Sequence, residues 1–216
     1  MIHKHPFFGQ ARFGGARRGY HHGSLKDALI EAARTLIAEH GPAGFTLAEA
    51  AKLVGVTAAA PYRHFTDRND LIGALARRGF ELFSERLAGA WDEGRPDARA
   101  ALKRMGRAYL AFALSEPGLY SAMFNDVKAL RRPFSCAAAD KAFDGLGRAA
   151  ATLLAGANVT PADIRRLAFE IWALSHGTAM LAVAGHLDPE RGDDPPAILE
   201  RGAEALVDQA LMRARA

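Results

Sequence analysis

The stretch Thr46–Leu71, TLAEAAKLVGVTAAAPYRHFTDRNDL, decides the fold. Thr46 with Glu49 three residues on forms a reciprocal capping pair, so a helix opens there. It runs through Leu47, Ala50, Ala51 and Leu53 and is short. Gly55 breaks it, because glycine accepts the left-handed geometry that closes a helix. A second short helix is expected from Thr57 to Phe65. Pro61 fits it if it falls in the first turn, where few N–H groups have a helical partner. Asp67, with Asp70 three on, then caps a longer helix carrying Leu71, Ile72, Leu75, Leu82, Phe83 and Leu87.

Upstream, Ser24 with Asp27 makes another capping box. Leu25, Ala28, Leu29, Ala32, Ala33, Leu36 and Ile37 recur every three or four residues, giving one apolar helical face that ends at Gly41-Pro42. Downstream, Asp92–Pro96 reads as a break. Helices are expected over about Asp97–Ser115, Gly118–Phe124, Ala137–Leu154, Pro161–Ala184 and Pro196–Arg213, with Asp126–Ser135 irregular. No segment alternates as a strand does, so the fold class is all-α.

Two short helices joined at a glycine and braced by a longer one make a tri-helical unit whose second short helix enters the major groove of DNA. The residues around it sharpen that reading. Ala48–Thr57, then Tyr62-Arg63-His64-Phe65, then Asp67–Leu71 resemble the DNA-binding signature of the TetR/AcrR family. The resemblance is strong over about residues 24–78. It implies an all-helical C-terminal domain that senses a ligand and dimerises, and repression as the usual mode. It also implies that Tyr62 and His64 hold DNA phosphates and that Arg68, where the family usually has lysine, sits by a phosphate at a helix N-terminus. Thr46 and Thr57 are expected to offer neighbouring backbone N–H groups to phosphate. Arg63 is the candidate for a bidentate contact to guanine, and Ala58 and Ala59 for methyl contacts to thymine. Phe65 is expected in the core. Because this helix has few polar readers, Arg17 and Arg18, with Tyr20, are expected to reach the adjacent minor groove.

In the C-terminal half, residues 161–184 are apolar nearly all round, so that helix needs two partners. Leu167, Ile171, Leu174, Thr178 and Leu181 form one stripe, expected at the interface of a two-fold dimer. Such a dimer places two recognition helices one DNA turn apart. Trp172–Gly177, WALSHG, resembles the W-x-x-x-H-G signature of one branch of the family, and Tyr20–Leu25 resembles that branch's lead-in. Trp172 and His176 share a face, lining an effector pocket or serving as a core or interface pair. Gly177 would let two helices approach closely. A pocket of Tyr109, Phe112, Met123, Phe124, Trp172 and His176 would take a mostly apolar small molecule.

The rest of the sequence excludes more than it adds. The formal net charge is +4, and Lys4, Arg12, Arg17 and Arg18 precede Ser24 with no acid among them. A basic arm, residues 1–23, suits a polyanion. The expected units are therefore this arm, a DNA-binding domain over 24–70 and a ligand and dimerisation domain over 71–216. The single Cys136 builds no disulfide or multi-cysteine zinc site, and it reads as incidental beside Arg131 and Arg132. His3, His5, His21 and His22 have no Cys or carboxylate near them to complete a metal site, so neither metal nor cofactor is expected. No nucleophile elbow, P-loop, dinucleotide fingerprint or zinc-protease motif is present, which argues against an enzyme. No apolar run approaches the ~20 residues of a membrane helix, and no signal core follows the basic start, so a cytoplasmic protein without membrane partners is expected. The expected partners are an operator in double-stranded DNA, a second copy of the chain and an unidentified small-molecule effector. The alternative is an architectural DNA-binding protein that responds to no ligand.

Overall fold

The computed structural model describes residues 24–124, 133–187 and 189–215, and all regular structure among them is helical. Eight α-helices follow one another: α1 Leu25–His40, α2 Leu47–Val54, α3 Arg68–Trp91, α4 Ala98–Ser115, α5 Pro117–Phe124, α6 Pro133–Leu153, α7 Pro161–Val183 and α8 Pro195–Arg213. Arg17, Arg18, Tyr20 and the four N-terminal histidines lie outside the described residues.

The caps read from sequence set the helix starts. Ser24 and Asp27 close a capping box on α1, Thr46 and Glu49 do so on α2, and Asp67 accepts from the Asp70 N–H at the head of α3. A third box, Thr160 with Asp163 on α7, was not singled out in the sequence. Gly55 takes φ +80° and ψ 29°, and the Val56 N–H reaches back to the Ala51 carbonyl at 3.0 Å. A Cβ at Gly55 would meet nothing within 4 Å, so its backbone angle alone is what calls for glycine.

Two elements differ from the expectation. The helix expected over 57–65 is only a single 3₁₀ turn, Ala60–Arg63. In an α-helix starting at Thr57, the residue-61 N–H would bond the Thr57 carbonyl, and proline has no N–H to give. The Ala60 N–H takes that carbonyl instead, at 3.0 Å, and tightens the turn. The other difference is α6, which begins at Pro133, within a stretch expected to be irregular. Proline is well placed at a first helical position, where its missing N–H is not needed.

The buried face of α1 (Leu29, Ile30, Ala32, Ala33, Ile37) packs against α2, α3 and α5. α3 crosses from the N-terminal unit into the rest of the chain without interruption. One continuous core therefore runs from Leu29 through Phe80, Phe83 and Phe112 to Leu199. α7 lies between α4, α6 and α8, and a second core gathers there around Leu154, Leu167, Ile171 and Val207. Helices α7 and α8 approach closely at Gly202, where a Cβ would lie 2.6 Å from Leu174 Cδ2. At Gly177, by contrast, a Cβ would meet nothing within 4 Å, so that glycine serves no close approach among the described residues.

Candidate functional site

The N-terminal site is a compact tip. Pro61 and Phe65 are buried and pin the 3₁₀ turn to the core, as expected for Phe65. Between and before them, Thr57, Ala58, Ala59, Tyr62, Arg63 and His64 are all exposed, with Tyr62 at 63%. A phenol left this open contributes little to folding and is free to meet a partner.

Of the residues expected around this tip, Thr46 caps α2 with Glu49 as its spacing predicts, and Arg68 is placed differently. Thr46 is exposed, but its N–H donates to Glu49 Oε2 at 2.7 Å and its hydroxyl to the same oxygen at 2.9 Å. These bonds hold the Glu49 carboxyl below its ordinary pKa, so a carboxylate occupies the Thr46 donors. Arg68 turns inward. Its Nη2 donates to the Pro42 carbonyl, and its guanidinium lies over the Phe45 ring at 5.5 Å. It therefore braces the 41–45 loop between α1 and α2 and does not point outward beside Tyr62. Delocalised charge and planarity suit arginine to that double contact, which lysine would not reproduce.

The second site is a partly open cavity of about 720 Å³ lined by α3, α4, α5, α6, α7 and α8. Tyr109, Met123, Phe124 and Trp172 line it as expected, joined by Phe83 and Phe143. Phe112 does not line it. That ring is fully buried, meets Phe83 edge-on at 5.1 Å and lies under the Arg86 guanidinium, which makes it a core residue.

His176 sits behind the wall rather than in it. Its Nδ1 lies 2.9 Å from the Tyr120 hydroxyl and 3.3 Å from that of Tyr109. Its ring stacks on Trp172 at 5.6 Å and 21°, as the one-turn spacing predicts. Burial lowers the His176 pKa and pushes Tyr120 up to about 12. Burial, and then the neighbouring Tyr120, push Tyr109 higher still. All three groups are thus neutral near pH 7. The sequence gives no sign of Tyr120 in this cluster, since its partner is 56 residues away.

Residues on the far side of α5 tie the cavity to the N-terminal unit. Glu116, just before α5, receives Arg34 Nη1 of α1 at 2.8 Å and Arg86 Nη2 of α3 at 3.3 Å. Gly118 packs directly on the Arg34 backbone carbonyl, leaving no room for a Cβ. One short helix therefore carries Met123 and Phe124 into the cavity wall and docks its first turn on α1.

The stripe expected at a dimer interface is mostly internal. Leu167, Ile171 and Thr178 are buried within the chain, and Leu174 is partly buried against Gly202. Only Leu181, 47% exposed, faces out. Periodicity identified an apolar face, but α4, α6 and α8 cover it. The open face of α7 runs through Phe169, Ala173, Gly177 and Leu181, and on α8 Ala205, Gln209 and Met212 are exposed. Among the described residues no group of three or more His, Cys, Asp or Glu is placed to hold a metal ion, and no helix is long and apolar enough to cross a membrane.

Comparison with known proteins agrees with both halves of this geometry. Residues 29–75 match the family described as bacterial regulatory proteins, tetR family, and residues 102–206 match the tetracyclin repressor-like C-terminal domain. A protein of unknown function from Rhodococcus sp. RHA1 is 30% identical, with a TM-score of 0.76 over 90% of this chain and 100% of that one. A tetR-family regulatory protein from Rhodococcus RHA1 shares the fold at 19% identity, with a TM-score of 0.66 over 87% of this chain and 98% of that one. The nucleoid occlusion factor SlmA of Marinobacter nauticus is 32% identical over 103 residues, which is 48% of this chain and 52% of that protein. The chain thus spans about half the length of that curated relative. With its exposed helix-turn-helix tip, its all-helical C-terminal half and both family matches, the chain belongs to the TetR family of DNA-binding transcription regulators.

Proposed function

We propose that this chain is a cytoplasmic transcriptional repressor that binds a palindromic operator as a homodimer and is released by a mostly apolar small molecule. The observation that carries the reading is α5, which lines the cavity at Met123 and Phe124 and docks on α1 at Gly118 and Glu116. A ligand that prefers a shifted α5 favours a shifted α1, and so disfavours the DNA-bound spacing of the two tips. It acts by binding and not by turnover.

In this reading the domains are an arm over 1–23, a DNA-binding unit over 24–70 and an effector and dimerisation unit over 71–216. Tyr62 and His64 donate to phosphate oxygens, Arg63 reads guanine, and Ala58 and Ala59 meet thymine methyls. Thr57 supports a backbone contact to phosphate. Thr46 caps α2 and leaves the neighbouring N–H groups of Leu47 and Ala48 to phosphate, and Arg68 leaves the contact set to hold the 41–45 loop. Arg17 and Arg18 enter the minor groove. The dimer forms through the open faces of α7 and α8, with Ala173, Gly177 and Leu181 replacing the buried stripe.

The test is a gel shift on the DNA upstream of the coding region, at near-physiological salt with excess unrelated competitor. A competitor-resistant shift, lost in Tyr62→Ala, is expected. Binding that the competitor abolishes overturns operator recognition and favours the architectural alternative.

A further inference from the structure

We propose that Trp172 and His176 form a relay that reports the state of the cavity wall to the DNA-binding unit, with the His176–Tyr120 hydrogen bond as its coupling element. This rests on the cavity being the effector site and deepens that reading by naming the side chains that pass the signal.

Backbone packing leaves a gap that these side chains bridge. Helix α5 lies against α1, α3 and α4, whereas α7 lies against α4, α6 and α8. The His176 ring joins the two. Its Nδ1 is hydrogen-bonded to the Tyr120 hydroxyl at 2.9 Å, and its ring lies 4.7 Å from that of Phe124. Tyr120 is fully buried, so water does not compete for this bond. On α5, Gly118 and Tyr120 are two residues apart and so point to roughly opposite sides of the helix. Gly118 rests on the Arg34 carbonyl of α1, and Tyr120 is held by α7. A change at the Tyr120 end of this short helix is thus carried to α1.

Trp172 is the cavity end of the relay. It lines the cavity, and one helical turn later the His176 ring stacks on it at 5.6 Å and 21°. The indole N–H donates to the Tyr109 hydroxyl, which lies 3.3 Å from His176 Nδ1 and 3.4 Å from the Tyr120 hydroxyl. The indole is therefore tied to the imidazole by stacking and through Tyr109. A guest that presses on Trp172 moves the imidazole with it, and a hydrogen bond weakens steeply once its alignment is lost. The W-x-x-x-H spacing acquires a physical reason: the first ring meets the cavity, and the second, one turn on, meets α5.

The experiment is hydrogen–deuterium exchange of the full chain, without DNA or ligand, for wild type, Tyr120→Phe, Trp172→Leu and the double variant. Tyr120→Phe keeps the ring and removes one hydroxyl. It should raise exchange at α5 and α1 about three- to tenfold, the range of one hydrogen bond. Trp172→Leu should raise exchange at α5 and α1 to a similar extent in the wild-type background and add little in the Tyr120→Phe background. A purely structural role for Trp172 would instead loosen the direct neighbours of α7, namely α4, α6 and α8, by the same factor in both backgrounds. His176→Asn, which keeps a polar group near the Nδ1 position, should retain the α1 protection that His176→Leu loses, and this pair tests the bond should Trp172→Leu fail to fold. Unchanged α1 exchange in Tyr120→Phe, additive effects of the two substitutions at α1, or equal α1 exchange in His176→Asn and His176→Leu overturns the proposal. No DNA enters the measurement, so its failure leaves the gel shift intact, and loss of the gel shift leaves the exchange data interpretable.

Discussion

The tip at residues 57–64 and the cavity behind it are built in opposite ways. The tip is local: one turn, two buried anchors at Pro61 and Phe65, and exposed polar groups within eight residues of sequence. The cavity is assembled from six helices, and its polar cluster joins side chains 11, 56 and 67 residues apart. Substitutions at the tip should therefore change binding without changing stability, whereas substitutions at the cavity should change both. The contrast breaks down if the two sets of variants behave alike.

The largest expected effect is at Phe112. It is fully buried between Phe83 and Arg86, so Phe112→Ala should cost about 3–5 kcal/mol of stability in urea melts. Retention of wild-type stability would return Phe112 to the cavity lining. Next is Arg63→Ala, which should weaken operator binding by about 1–3 kcal/mol. Because Arg63 is exposed, its melting curve should stay within about 0.5 kcal/mol of wild type. Arg68→Lys keeps the charge but loses the fork and the stacking on Phe45. It should cost about 1 kcal/mol of stability, and Arg68→Met, which removes the charge, should leave the salt dependence of operator binding unchanged. A changed salt slope in anisotropy titrations would mean that Arg68 neutralises a phosphate after all.

The smallest effect is the pH dependence at His176. Burial holds its folded pKa below the unfolded value, so the unfolded chain takes up the proton first. The stability contributed by the neutral ring is complete above the unfolded value near 6.5. It is lost as pH falls from there toward the folded value. Tyr109 and Tyr120 are the titratable groups in contact with the ring, and both stay protonated throughout this window. Thermal melts at pH 7.5 and 5.5 should show a drop in wild type that His176→Gln reduces. An equal drop in both would place the pH dependence elsewhere.

The same contrast governs what could be read from the sequence. Serine, threonine and aspartate caps and Gly55 are local devices, and the residues three or four positions away identify them. The starts of α1, α2 and α3 and the buried Phe65 are legible for that reason. The turn at Pro61 is harder to read, because one missing N–H four residues past Thr57 shortens a whole helix to a turn. The Leu167–Thr178 stripe was legible as apolar, but periodicity does not say whether the partner is another helix of the same chain or a second subunit. Arg68 and Tyr120 take their roles from partners 26 and 56 residues away. Nothing local at either position announces them.

The central claim, that this chain recognises a two-fold operator through the Thr57–His64 tip, is tested most directly by hydroxyl-radical footprinting on the upstream DNA, with wild type and Arg63→Ala compared at equal concentration. Two protected patches related by a two-fold axis and spaced about one helical turn apart, both lost in Arg63→Ala, are the predicted result. Protection that is uniform along the fragment and unchanged in Arg63→Ala would contradict it.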